Sequence, residues 1–153
     1  MIVKMKQSLY IMLSLLCLNF FSFVYPQEHF TTGTGNHQQG KKCSKVFSEI
    51  SKGIADHNID AIARYFSPQT YLSLSNGTSG YYSSNQAYYV LEDFFKIYRV
   101  TAFRFDNIQT GSNNPYATGE YQFEYRGKRD IASVYIALKQ AGKDWKITQI
   151  TIN

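Results

Sequence analysis

Residues 81–98, YYSSNQAYYVLEDFFKIY, decide how this chain folds. Ser83 and Gln86 stand three apart, the S-x-x-Q spacing of a capping box. In that box each side chain satisfies a backbone donor left without a partner at a helix start. Ala87, Val90, Leu91, Phe94, Phe95 and Tyr98 follow at three- and four-residue steps and draw one broad apolar stripe. The spacing predicts a capped helix ending near Tyr98, with its stripe laid on another layer.

The residues after it identify that layer. From Val100 the period changes to two. Phe103 and Phe105 share one face of a strand over 100–110, and Tyr121, Phe123 and Tyr125 share one face of another over 116–125. Residues 131–138, IASVYIAL, are nearly all apolar and read as a strand buried on both faces. Trp145 to Ile152 closes the series, with Ile150 and Ile152 to one side. Turn residues separate these strands at Gly111 to Pro115, Arg126-Gly127-Lys128 and Ala141-Gly142-Lys143, which predicts an antiparallel meander.

Upstream, Val46, Phe47, Ile50 and Ile54 mark one helix face over 44–55. Ile59, Ile62, Ala63 and Phe66 mark a second, short helix stopped by Ser67-Pro68. His57-Asn58 lies between them. His57 suits the left-handed residue a helix end often needs, and Asn58 suits a cap for the next helix. Tyr71 to Ser75 alternates like a short strand and Asn76-Gly77 turns it. Asn76-Gly77-Thr78 also spells a glycosylation sequon, relevant only in a eukaryotic secretory pathway. The expected fold is α+β: a curved antiparallel sheet of about four to five strands packed on three N-terminal helices.

The first residues do not belong to that fold. Lys4 and Lys6 precede an uncharged run from Gln7 to Gln27 rich in Leu, Phe, Ile and Met. This is the pattern of a signal peptide over 1–27, with cleavage expected between Ser22 and Gln27, or of a membrane anchor if the leader is retained. Leu16 is too large for the small residue that lipid attachment at Cys17 would prefer. Residues 28–42, rich in Gly, Thr and Gln, read as a flexible linker, and the domain as 43–153. The expected location is therefore exported, periplasmic or secreted. Without the leader Cys43 is the single cysteine, so it either bridges two chains, stays a free thiol, or serves as a small apolar residue at a helix start.

The 153 residues suit one domain, and 13 Tyr with 11 Phe suffice for a core or a lined cavity. Net charge is +5, but without Lys4 and Lys6 it falls to +3, from 14 basic and 11 acidic residues scattered along the chain. Such scatter argues against a nucleic-acid partner, whose footprint is clustered. Lys41-Lys42 reads as a solvated doublet in the linker. His29 and His37 fall in the linker, and no histidine pair or cysteine set has metal-ligand spacing, so neither metal nor other cofactor is expected. There is no nucleophile elbow and no phosphate-binding Gly loop. Asp93, Asp106 and Glu120 remain as carboxylates that an apolar cavity could tune for acid–base work. Strand parity points Asp106 and Glu120 away from the aromatic faces, toward solvent and Arg104 or Arg126. The aromatic set offers more. Tyr82, Tyr89, Phe105, Tyr121 and Phe123 are the candidate ligand-binding residues, with Tyr81, Tyr88 and Phe94 beside them, although a solid core would use the same residues.

Several of these residues also carry a family resemblance: Tyr82-Ser83, Gln86-Ala87, Leu91, Asp93-Phe94-Phe95, Phe105, Gly111, Tyr116-Ala117-Thr118-Gly119, Val134-Tyr135, Trp145, Ile147 and Ile152. With the element order they resemble the nuclear transport factor 2-like (cystatin-like) superfamily, a cone-shaped α+β fold that also holds ketosteroid isomerases. Within it the chain resembles a family of small exported bacterial domains of unknown function. His57-Asn58 stands where that family tends to have Gly-Asn or Gly-Asp, and Gln109 where members often have a histidine. The matching residues are packing and turn residues, so the resemblance implies a fold and no activity. The isomerases' buried acid and base have no counterpart here residue by residue.

The expected role is thus a non-enzymatic module binding a small amphiphilic ligand or an envelope protein, and forming a homodimer through the sheet. A small isomerase- or lyase-type enzyme with one buried carboxylate is the alternative, and an interaction subunit of an envelope complex is a third reading.

Overall fold

A computed structural model describes residues 34–153. The leader reading on 1–27 and the first part of the linker lie outside the described residues. In chain order the elements are α1 (Thr34–Ala55), α2 (Ile59–Ala63), β1 (Phe66–Leu74), β2 (Ser79–Ser83), α3 (Ser84–Ile97), β3 (Arg99–Gln109), β4 (Tyr116–Tyr125), β5 (Lys128–Ala141) and β6 (Asp144–Ile152). The six strands form one sheet in the order β2-β1-β6-β5-β4-β3. All neighbours are antiparallel except β1 and β6, which run parallel.

α3 starts as its sequence demands. Ser83 Oγ accepts from the Gln86 N–H at 3.4 Å, and Gln86 Oε1 accepts from the Ser83 N–H at 3.0 Å, a complete capping box. Ala87, Leu91, Phe94 and Phe95 form its buried side. His57 has φ +56° at the end of α1, and Asn58 caps α2 by accepting from the Ala61 N–H at 3.0 Å. Both places match the sequence reading. The helices cover one face of the sheet, where Leu72, Ile136, Leu138, Ile147 and Ile152 meet Phe47, Ile50 and Leu91 in a single core.

Three expectations need correction, and one left open is resolved. The sheet is mixed and has six strands, because a strand already begins at Phe66 and a further one runs through 79–83. Phe66, expected in the short helix, therefore belongs to β1 together with Ser67 and Pro68, and Tyr81-Tyr82 belong to β2. Pro68 is tolerated because pairing with β6 jumps from Phe66↔Ile147 to Tyr71↔Gln149, so its missing N–H falls in the irregularity. The buried Thr70 hydroxyl ties this bulge down by donating to the Ile147 carbonyl at 3.1 Å. Second, helix α1 extends back over 34–42, inside the expected linker. The apolar face from Cys43 onward nucleates a helix that then propagates through residues with no pattern of their own. Third, β5 is buried on one face only: Ala132, Val134, Ile136 and Leu138 point inward, while Ile131 is 59% exposed. Cys43, whose state the sequence leaves open, is fully buried and free, and burial pushes its thiol up to about 11. It is thus both a free thiol and a small apolar residue of the core, since a sulfur with no exposure cannot reach another chain.

Curvature comes from irregular pairing. β3 slips register against β4 between Val100 and Ala102 and again between Phe105 and Asn107, and such bulges bend a strand and increase its twist. At the second slip the backbones close on each other. A Cβ added to Gly119 would stand 2.8 Å from Phe105 Cα and closer still to the Arg104 carbonyl oxygen, so no larger residue fits.

Candidate functional site

The expected ligand-binding residues do not share one concavity. Tyr121 is fully buried and Phe123 nearly so. Tyr121 packs among Phe95 (ring centroids 5.9 Å), Phe94 (6.1 Å), Phe103 (6.4 Å) and Phe123 (5.8 Å). Its hydroxyl donates to the Tyr98 carbonyl, and burial holds its pKa well above the usual tyrosine value. Tyr98 stacks on Phe94 at 4.7 Å and on Tyr125 at 4.8 Å, extending the ring cluster to the sheet edge. Phe105 is half-buried against Phe47 at 5.8 Å and Phe103 at 5.0 Å. Tyr82 leans on the core from β2, whereas Tyr89 is 64% exposed on α3. The space between α3 and β3–β4 is therefore filled with rings. Among the described residues, the concavities formed around Glu49, Gln140, Phe95 and Gly53 are lined by none of the five.

The carboxylates stay outside. Asp93 is exposed beside Lys96 (3.7 Å), and Arg104 lies between Asp106 (3.2 Å) and Glu120 (3.5 Å). Among the described residues Ser67 and Thr70 are the buried polar side chains besides tyrosine, and no His, Cys, Asp and Glu grouping could hold a metal. The inward carboxylate that an isomerase-like reaction needs is not among them.

Two surfaces remain. The first is the outer face of the sheet, away from the helices. One row crosses all six strands as Tyr81, Tyr71, Gln149, Ala137, Tyr116 and Gln109. The next row crosses as Ser79, Ser73, Thr151, Tyr135, Thr118 and Asn107. None of the twelve is charged and none is buried. Tyr71 meets Tyr81 edge-on at 5.1 Å, and Tyr116 stacks on Tyr135 at 5.5 Å. Charges resume beyond this band, as Glu120 beside Arg104 and as Glu124 between Arg99 and Arg129.

The second is a concavity of about 440 Å³ between α1, the α2–β1 junction and the β5–β6 hairpin. Here Glu49 accepts from Arg64 Nη2 at 2.8 Å and from the Tyr65 hydroxyl, with Lys45 at 3.8 Å. The Tyr65 hydrogen bond, then Arg64 and Lys45, hold the Glu49 carboxyl below its ordinary pKa. Burial and the same bond raise that of Tyr65. The Arg64 guanidinium lies 5.0 Å from the centre of the Tyr65 ring. The sequence signal for this place was the Lys41-Lys42 doublet, read as solvated, because Arg64-Tyr65 and the 143–146 segment that complete the concavity lie about 20 and 100 residues further on.

Comparison with known proteins bears on the fold. A family model described as a domain of unknown function (DUF4783) matches residues 47–153. Crystal structures of DUF4783 family proteins are similar. One from Bacteroides uniformis has a TM-score of 0.63 at 15% identity, covering 69% of this chain and 94% of that one. One from Bacteroides ovatus has 0.60 at 16%, covering 69% and 91%. An NTF-2 like protein of unknown function from Shewanella oneidensis has 0.55 at 13%, covering 73% and 96%. No curated protein matches. Likeness at this identity concerns the fold alone: α+β, with a curved mixed sheet of the nuclear transport factor 2-like kind.

Proposed function

The chain belongs to the DUF4783 family of domains of unknown function, and from that premise we propose that it is an exported, non-enzymatic protein-binding module that pairs with a second copy of itself through the outer face of its sheet. One observation carries the reading: two adjacent rows of that face span all six strands without a charge. Two such faces can meet by a two-fold axis with no unpaired charge buried between them, which is the usual obstacle to closing a sheet on a sheet. The Tyr71–Tyr81 and Tyr116–Tyr135 pairs supply broad amphipathic rings of the sort enriched at interfaces. The Arg–Glu ladder of β3–β5 would fall at the rim, where ion pairs remain solvated. The filled interior adds support from the opposite side, since rings occupy the cone in which a ligand would otherwise sit.

Light scattering behind size exclusion tests the pairing. The wild-type domain is expected to elute as a dimer at tens of micromolar, and Tyr135→Glu, which puts a carboxylate at the centre of the neutral band, as a monomer with unchanged circular dichroism. A wild type that stays monomeric across that range would sink the reading. Export rests on the leader sequence; the intact mass of protein from the culture should correspond to a chain starting between Phe23 and Glu28.

A further inference from the structure

Basic residues that are scattered along the chain converge in space. Lys42 and Lys45 come from α1, Arg64 from the α2–β1 junction, and Lys143 and Lys146 from the β5–β6 hairpin, all lining the 440 Å³ concavity. Two carboxylates share it, Glu49 and Asp144, leaving an excess of three positive charges. Glu49 is already engaged by Arg64, Lys45 and the Tyr65 hydroxyl, so it neutralises groups of the wall and not the opening. The Lys146 ammonium donates to the Arg64 carbonyl oxygen at 2.7 Å, a neutral acceptor that orients it and leaves its charge intact. Lys42 and Lys143 make no ion pair among the described residues. Tyr65 and the largely buried Trp145 form low-dielectric walls, and such walls around charges of one sign concentrate the field in a cleft.

We propose that this concavity is a binding site for a small, multiply charged anion, a polyphosphate or a polycarboxylate. Multiple charge is required because the cations are spread over three chain segments and a single negative charge could meet only one or two of them. The chemistry is that of lysine point charges: the Arg64 fork is occupied, its Nε by the Ala61 carbonyl at 3.2 Å and its Nη2 by Glu49, so no planar bidentate partner is demanded. The site is on the helix side of the sheet and does not depend on pairing through the outer face.

Isothermal titration of the purified domain with pyrophosphate and, separately, with citrate tests the proposal at neutral pH and about 0.1 M salt. Saturable one-to-one binding of at least one of them is expected, with affinity falling as salt is raised. Which anion binds more tightly separates the phosphate from the carboxylate source. Lys42→Glu combined with Lys143→Glu turns the local excess from three positive to one negative and should weaken binding by at least about ten-fold. Lys128→Glu with Arg129→Glu makes the same change of net charge at the start of β5, on a different hairpin, and should weaken it less than about two-fold. Thermal melts confirm that both variants fold. Absence of saturable binding by the wild type overturns the site, and so does equal weakening in the two variants, which would report net charge alone.

Discussion

The helical layer joins its sheet in two contrasting ways. Where α3 crosses β3 and β4 the join is dry. Phe94, Phe95, Tyr98, Tyr121 and Phe123 lie ring against ring, and the Tyr121 hydroxyl among them is matched by the Tyr98 carbonyl. Where α1 and the α2–β1 junction meet β6 the join is open and charged, with Glu49, Arg64, Tyr65 and Lys146 linked at its wall. Ring packing stabilises through buried area and dispersion, which salt does not touch. Half-exposed ion pairs contribute little to stability but set a local potential that a partner can feel. The first region is therefore where folding energy resides, and the second is where the surface retains chemistry.

Substitutions can break or sharpen that contrast. The largest effect is expected at Gly119, where any Cβ runs into the β3 backbone. Gly119→Ala should cost more than about 4 kcal/mol or abolish folding, measured by urea unfolding followed by circular dichroism. A variant as stable as wild type would mean that β3 and β4 do not close there. Next comes Phe94→Ala, from a fully packed ring, at about 3–5 kcal/mol. Tyr89→Ala on the same helix, from a ring 64% exposed, should stay within about 0.5 kcal/mol. Equal costs would erase the distinction between the buried and open sides of α3.

The smallest effect belongs to the charged join and depends on pH. Glu49 titrates below its ordinary 4.5 in the folded chain, so its contribution is present above that value. It is lost as pH falls from there through the folded pKa, because the unfolded state then takes up the proton more readily. Wild-type melting temperature should therefore drop more steeply below pH 4.5 than that of Glu49→Gln, while the two remain roughly parallel between pH 6 and 8. Parallel curves throughout would show that the Arg64–Glu49–Tyr65 cluster adds nothing to stability. Cys43, sealed on the buried face of α1 with its thiol raised to about 11, should react with thiol reagents only after denaturation.

Much of this arrangement was legible beforehand for local reasons. The capping box of α3, the left-handed His57, the cap at Asn58 and the β4 boundaries each depend on residues within four positions of one another, and near-neighbour chemistry is readable in a string. β2 was missed because SGYYS abuts a helix cap and takes its strand character from pairing with β1. The start of α1 was missed because a propagating helix needs no apolar pattern of its own. The apolar run of β5 suggested two buried faces, yet a strand's own composition does not say whether a second layer is present to cover it.

Local sequence was enough for the class of the fold, the place of the third helix and its buried stripe, the four long strands joined by three turns, and the lack of any recognisable catalytic motif in the string. These follow from periodicity, caps and turns, whose physics acts over a few residues. What the aromatic residues do and where the basic ones gather follow from long-range packing instead. Phe94 and Tyr121 are 27 positions apart, and Lys42 and Lys146 are 104 apart, in the chain. Whether rings fill a cone or line it, and whether scattered lysines become one cleft, depends on how strands 30 to 100 residues apart register against each other. That register is set by the bulges in β1, β3 and β6, where the closeness of two backbones belongs to neither strand alone.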